Sequence, residues 1–263
     1  MALKPIPESW RQGRDDREND SALFNYLQSL AVTQDDDIQK RLLKQVIQGY
    51  VILEKKVDDL LKNTLPAMVA DEIKSTGHFA PRAYACTILF TDIVGFTSLA
   101  EKISGEKLID LLDIICRGMD DLVARFRGTK IKTIGDAYMA VFGAPLAYED
   151  HAVMALKAGL EALRLVEAFN SHSGQQIGVR IGIHTGSVMA GVVGKERMQF
   201  DIFGDNVNIA ARYESSGTRG RVNVSHATYL LTRDRFDFEE RGEIALKHKG
   251  NMKAYFVLGE KRG

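Results

Sequence analysis

Cysteine is scarce in this 263-residue chain: there are two, Cys86 and Cys116, each among apolar neighbours ("YACTILF", "LLDIICRGM"). No CxxC pair or Cys/His ligand spacing accompanies them. That argues against a disulfide framework or a zinc site and fits buried thiols in a reducing compartment. Net charge is also lacking, since 35 Lys and Arg balance 35 Asp and Glu. The broad basic face that nucleic-acid binding leans on is therefore not expected, although local basic clusters can still hold a small phosphorylated ligand. There is no run of about 18 apolar residues, and the N-terminus "MALKPIPESWRQGRDDREND" has no apolar signal core. The expectation is a cytoplasmic protein with no membrane segment in this chain, though a sensor or membrane region of a longer protein could precede it. The phosphate-cradling pattern GxxxxGK[ST] is missing, which excludes a P-loop fold.

What is present is an ordinary globular composition, 45% hydrophobic and 27% charged, at a length that suits one substantial domain plus an accessory segment. Residues 1–20 are polar and are expected to be poorly ordered. Over 21–65 the reading is helical. A short amphipathic segment runs through Leu23, Tyr26, Leu27 and Leu30. A sharper one places Leu43, Val46, Tyr50, Leu53, Val57 and Leu60 at the a and d positions of a heptad. That stripe suits either a parallel dimerising coiled coil or one amphipathic helix packed on its own domain. Pro66 interrupts it, so 66–81 reads as a junction.

The main domain is expected over 82–263. "AYACTILFTD" reads as a buried strand ending in Asp92, and "TKIKTIGDAYMAVFG" as two strands about Gly135-Asp136. "QIGVRIGIHTGSVMAGVVG" reads as two more strands about Thr185-Gly186, with helices over 105–126, 151–172 and about 206–215. Strand-helix-strand-strand-helix-strand is an α+β pattern, one sheet with helices on one face.

Two aspartates then stand out. Asp92 ends an apolar strand, and Asp136 sits at the tip of a hairpin that could pair beside it. Carboxylates from neighbouring strand ends suit a hard divalent cation. On spacing alone they could equally be a helix cap and a turn residue. Lys132, between Ile131 and Thr133, is a charge in a strand-like stretch, which costs free energy unless something pairs with it.

Four stretches in order change the weight of these readings: "FTDIVGFTSLAEK", "KIKTIGDAYMAVFG", "VRIGIHTGSVMAGVVG" and "FDIFGDNVNIAARYESSG". Together they closely resemble the catalytic domain of the class III nucleotidyl cyclases, the adenylate and guanylate cyclase family, over about 82–258. The resemblance implies a ferredoxin-like, palm-like antiparallel sheet with flanking helices. It also implies cyclisation of a nucleoside triphosphate, with release of pyrophosphate. Asp92 and Asp136, with the backbone carbonyl of Ile93, match the family's ligands for two Mg²⁺ (or Mn²⁺) ions per active site. Lys132 and Asp201 match its adenine-reading pair. Asn208 matches the residue that orients the ribose, and Arg212 the transition-state arginine. Arg180 and Lys249 match residues that hold the triphosphate.

The chemistry agrees with that base assignment. Adenine offers an acceptor at N1 and an amino donor at N6. A lysine and a carboxylate satisfy both, whereas guanine would leave them facing groups of the wrong kind. Guanylate cyclases typically carry Glu and Cys or another small residue there. ATP is thus the expected substrate. His184 lies in a strand and is expected to be structural, and no side chain is an obvious general base.

In the family, sites form between two cyclase domains: the aspartates and Arg180 from one, the other residues from its partner. One domain per chain implies a head-to-tail homodimer. A catalytically dead nucleotide-binding module or a guanylate cyclase are the alternatives. A diguanylate cyclase is disfavoured because the turn reads Ile-Gly-Asp-Ala.

Overall fold

The computed structural model describes residues 36–246 and 250–261. The segments 1–20 and 21–32 and Lys249 lie outside the described residues. The chain divides into two compact units, Met1–Asn63 and Thr64–Gly263.

In the first unit, helix α1 (Asp36–Thr64) is continuous across the heptad stretch. Its apolar positions Leu43, Tyr50, Leu53, Val57 and Leu60 are exposed, with Leu60 at 67%. A helix whose apolar stripe stays in water has little to stabilise it in isolation, because most helical stability comes from packing that stripe.

The second unit begins with α2 (Ala67–Thr76), so the stretch read as a junction has a helix of its own. Pro66 is its N-cap, Gly77 closes it at φ 80°, and Val69 and Ala70 are fully buried. Beyond it the Phe79 ring stands edge-on to Phe200, with centroids 5.9 Å apart.

The remaining elements are β1 (Arg82–Ile93), α3 (Phe96–Ala100), α4 (Gly105–Arg125), β2 (Gly128–Ile134), β3 (Ala137–Phe142) and α5 (His151–Ser173). They continue with β4 (Val179–Val193), β5 (Gln199–Phe203), α6 (Asp205–Ser215), β6 (Val222–Ser225), α7 (His226–Thr232), β7 (Phe236–Leu246) and β8 (Gly250–Glu260). The sheet has eight strands in the order β2-β3-β1-β4-β6-β8-β7, with β5 paired to β4. It is antiparallel except for β4 and β6, which run parallel and so make the sheet mixed.

Period-two alternation separates its two faces. Leu89, Ile181, Ile183, Val222 and Val257 point to one side, where they meet Leu111, Ile115, Met119 and Leu122 of α4 and Ala155, Leu156 and Val166 of α5. Those α4 residues recur at helical spacing, and Ser104 starts the helix by accepting a hydrogen bond from the Lys107 N–H. The other side is not bare, contrary to the expectation of helices on one face. There α6 lies on β4, and Ile209 and Tyr213 form a second apolar cluster with Ala254.

One further expectation is corrected. The stretch about Thr185-Gly186 is not a turn: β4 runs unbroken for 15 residues. Thr185 and Gly186 pair in register with Thr87 and Cys86 of β1. The glycine serves a close approach instead, since a Cβ at Gly186 would lie 2.4 Å from the Asn206 side chain. Gly182, four residues earlier on the same face, is tighter still: a Cβ there would lie 2.0 Å from the Glu214 backbone nitrogen. These two glycines let α6 seat directly on the strand. Strand β5 ("QFDIF") is an element that the sequence reading did not place.

Candidate active site

The end of β1 carries Asp92, which pairs in register with Arg180 at the start of β4. Opposed strand residues sit within reach of each other's side chains. Here the Arg180 guanidinium donates from Nη2 to Asp92 Oδ2 at 2.5 Å and from Nε to Glu214 Oε1 at 3.0 Å. Arg180 thus bridges carboxylates from β1 and from the last turn of α6.

Asp136 follows Gly135, whose φ of 64° makes the β2–β3 turn. Its carboxyl lies beside that of Asp92 and near the Ile93 backbone, and its pKa is raised, first by burial and then by the Asp92 charge. A carboxyl whose ionisation is disfavoured by burial and by a neighbouring carboxylate belongs to a donor set that a hard cation would relieve. Among the described residues no group of three or more His, Cys, Asp and Glu side chains is arranged to hold a metal. The Asp92 and Asp136 carboxyls are the acidic pair that stands side by side at this end. They suit a cation that completes its shell with water and substrate oxygens.

Glu214 was not anticipated from the sequence. In "ARYESS" it looks like a surface acid on a helix, yet it is 9% exposed. Burial, and next the Asp92 charge, push its pKa up to about 7 against the opposing pull of Arg180. The available clue was Gly182, whose missing side chain admits the Glu214 backbone.

The second cluster lies on β2 and β5. Lys132 Nζ donates to Asp201 Oδ2 at 2.5 Å. Asp201 is held on its other oxygen by the Ile202 N–H at 2.9 Å. A register shift between Lys130 and Lys132 bends β2 at this point, and such irregularities re-aim side chains. Lys132 therefore finds its partner 69 residues away.

Helix α6 carries Asn208 and Arg212 one turn apart. Asn208 is exposed. Arg212 Nη1 is buried without a hydrogen-bond partner among the described residues. The helix is pinned near both ends. His184 donates from Nε2 to Asn206 Oδ1 at 2.9 Å, and Asn206 Nδ2 donates to the Ser187 carbonyl at 2.7 Å. Tyr213 donates its hydroxyl proton to the Lys253 carbonyl at 2.8 Å and stacks on the His184 ring. Burial lowers the His184 pKa, which keeps the ring neutral, and its Nδ1 meets Ser225 Oγ at 2.8 Å. Both ring nitrogens are thus committed to structure.

Comparison with known proteins gives this geometry its family. Residues 79–259 match the model of the adenylate and guanylate cyclase catalytic domain. The chain belongs to that family: it contains a class III nucleotidyl cyclase catalytic domain. It is 38% identical over 225 residues to the receptor-type guanylate cyclase gcy-28 of Caenorhabditis elegans, covering 84% of this chain and 18% of that protein. It is 34% identical over 224 residues to an adenylate cyclase of Mycobacterium bovis, covering 83% of this chain and 51% of that one. The chain therefore spans about a fifth to a half of these relatives' length. Among solved structures, the adenylyl cyclase CyaB of P. aeruginosa superposes with a TM-score of 0.67 at 30% identity, over 70% of this chain and 98% of the other. The catalytic core of a rhodopsin-guanylyl cyclase with converted specificity, solved with ATPαS, superposes at 0.65 and 33% identity, over 68% and 98%.

Proposed function

We propose that this chain is an adenylate cyclase, forming 3′,5′-cyclic AMP and pyrophosphate from ATP by in-line attack of the 3′-oxygen on the α-phosphorus. The observation that carries the reading is the Lys132–Asp201 pair. Its ammonium and carboxylate stand side by side, as needed for the N1 acceptor and N6 donor of adenine. Relatives with guanylate and adenylate in their names match the whole domain about equally, so the choice of base rests on these two side chains. That a rhodopsin-guanylyl cyclase core of converted specificity holds ATPαS supports a choice of base that can vary within one fold.

Asp92, Asp136 and the Ile93 carbonyl would hold Mg²⁺ or Mn²⁺, two ions per site. Bound there, the metal supplies Lewis-acid stabilisation of the attacking and leaving oxygens. The chain's own groups do the rest. Asn208 orients the ribose, so that the 3′-oxygen lines up with the bond to be broken. Arg212 meets the charge that develops on the α-phosphoryl oxygens, and Arg180 and Lys249 hold the terminal phosphates. The sites are composite: Asp92, Asp136 and Arg180 of one protomer face Lys132, Asp201, Asn208, Arg212 and Lys249 of its partner. The Arg212 nitrogen without a partner among the described residues supports this arrangement.

The exposed stripe of α1 supports a parallel helix pair that raises the effective concentration of the two catalytic domains. Leu53→Glu with Val57→Glu should shift the protein towards monomer in analytical ultracentrifugation and depress activity at low concentration.

The function itself is tested by chromatography of products from ATP and from GTP, each with Mg²⁺ and with Mn²⁺. Cyclic AMP with little cyclic GMP is the expected result. No cyclic product from a dimeric protein would instead make it an inactive nucleotide-binding module, and cyclic GMP would make it a guanylate cyclase.

A further inference from the structure

We propose that Arg180 acts as the internal counter-cation of the metal end, and that Glu214 is the positioning residue on which it pivots. On this view the guanidinium gives up Asp92 when a divalent cation and nucleotide arrive, while Glu214 keeps it at the site to meet the terminal phosphates. The inference rests on the reading that Asp92 and Asp136 hold the metal.

Three observations carry it. First, one planar guanidinium uses two different nitrogens for two carboxylates: Nη2 for Asp92 and Nε for Glu214. A small movement of the rigid guanidinium can therefore carry Nη2 away from Asp92 while Nε, the nitrogen nearer the backbone, stays beside Glu214, a two-nitrogen geometry that a lysine ammonium does not provide. Second, the pivot is fixed. The Glu214 backbone rests against Gly182 so closely that a Cβ would overlap it at 2.0 Å, and the Glu214 side chain is only 11% exposed. Third, the swinging end is held by a carboxylate that a cation would need. Asp92 Oδ2 accepts from Arg180 at 2.5 Å and lies beside the Asp136 carboxyl. A divalent ion at those two aspartates and a guanidinium in contact with one of them are like charges at close range, so each weakens the other. The triphosphate resolves the conflict by offering the guanidinium anionic oxygens in bidentate geometry.

It follows that metal binding without nucleotide is weak by construction, and that nucleotide strengthens it. The two variants should act in opposite directions. Arg180→Gln removes the competitor, so Mn²⁺ should bind the nucleotide-free protein about five- to tenfold more tightly, even as turnover falls. Glu214→Gln removes the other claim on the guanidinium, leaving it more firmly on Asp92. Mn²⁺ should then bind several-fold more weakly and the ATP KM should rise. If the pair were merely structural, both variants would weaken Mn²⁺ binding together.

The experiment is a Mn²⁺ titration followed by the electron paramagnetic resonance signal of the free ion. It uses the 263-residue chain as wild type, Arg180→Gln, Glu214→Gln, Arg180→Lys and Asp92→Asn, each with and without 3′-deoxy-ATP, which cannot cyclise. Thermal melts check folding. If Arg180→Gln does not fold, Arg180→Lys decides: the shorter side chain lacks the Nη2 donor that reaches Asp92, so its nucleotide-free Mn²⁺ affinity should exceed wild type. Tighter binding in the Arg180 variants with weaker binding in Glu214→Gln supports the proposal. Unchanged or weaker binding in the Arg180 variants, with wild-type binding abolished by Asp92→Asn, overturns it and leaves the proposed function standing. Mn²⁺ binding that Asp92→Asn does not alter, with or without 3′-deoxy-ATP, overturns the metal assignment and the exchange together.

Discussion

The two charged clusters of the catalytic domain are each built on an ion pair of 2.5 Å between strands, yet they are held very differently. Lys132–Asp201 joins β2, an edge of the sheet, to β5, which lies off the main strand path. Its lysine is about a third exposed, and among the described residues the pair has no other hydrogen-bond partner than the Ile202 N–H on Asp201. Asp92–Arg180 joins two central strands, and Glu214 and Asp136 crowd around it. A peripheral, isolated pair can be replaced without disturbing its neighbours, whereas members of a shared network couple strongly. On the proposed function, the Lys132–Asp201 end is therefore the part of this domain that can change substrate while the fold stays put. The Asp92–Arg180 end is the part that cannot change piecemeal.

The largest expected effect tests that second half. Asp136→Asn or Asp92→Asn should lower cyclase turnover by at least about 10³-fold, because the proposed function makes each a carboxylate donor to the catalytic metal. Asp136→Asn should leave the domain folded, or slightly more stable, since it also removes a like-charge contact. An initial-rate assay beside a denaturant melt checks both. Activity near wild type would mean that the crowded carboxylates are structural and that the contrast between the ends fails.

At the other end, Lys132→Glu combined with Asp201→Cys should shift the ratio of ATP to GTP turnover by about 10²-fold or more. Buried polar groups paired with the wrong base edge discriminate strongly. Unfolding free energy should change by no more than about 1 kcal/mol, as for a partly exposed pair. Competition between the two nucleotides in one reaction measures the ratio. Loss of stability without a change of preference would mean that the pair serves the fold.

Which parts of this contrast could be read from the sequence follows from how local each signal is. Asp92 at the end of an apolar run and Asp136 after a turn glycine are local patterns, and both stand where expected. The heptad of α1 and the face of α6 carrying Asn208 and Arg212 are local as well. The unbroken course of β4 was hidden because Gly186 and Thr185 look like turn residues. The glycine is there for a helix that arrives 20 residues later and presses Asn206 against it. Glu214 was hidden for the same reason: its burial is caused by Gly182 on another element. The Lys132–Asp201 pair spans 69 positions, and only likeness to a family, not periodicity, linked the two.

A smaller effect probes the network through pH. The pKa of Glu214 is raised from 4.5 to about 7, first by burial. A raised carboxyl means that the folded state binds more protons than the unfolded state between those values. Stability of the metal-free protein should therefore fall as pH rises from about 4.5 to about 7, by at most about 3 kcal/mol, and then level off. Asp136 adds a slope of the same sign, so Glu214→Gln should flatten the curve without abolishing it. Lys132→Gln should leave the slope unchanged, which is the contrast between the ends restated as a titration.

The smallest expected effect concerns His184, a buried histidine of β4 that the sequence reading assigns to structure. Its ring is buried, its Nε2 is committed to Asn206 and its Nδ1 to Ser225, and burial lowers its pKa. A ring so engaged holds α6 on β4 and has no nitrogen left for a substrate hydroxyl. Replacing it with Gln, which can keep one of the two hydrogen bonds, should cost about 1 kcal/mol of stability. Turnover should drop only a few-fold, through slack in the helix that carries Asn208 and Arg212. The pH profile of kcat/KM should keep its shape, because a positioning residue changes the height of such a profile and a general base removes one of its limbs. Disappearance of the acidic limb in His184→Gln would place proton transfer at the centre of the sheet, between the two ends that otherwise divide the chemistry.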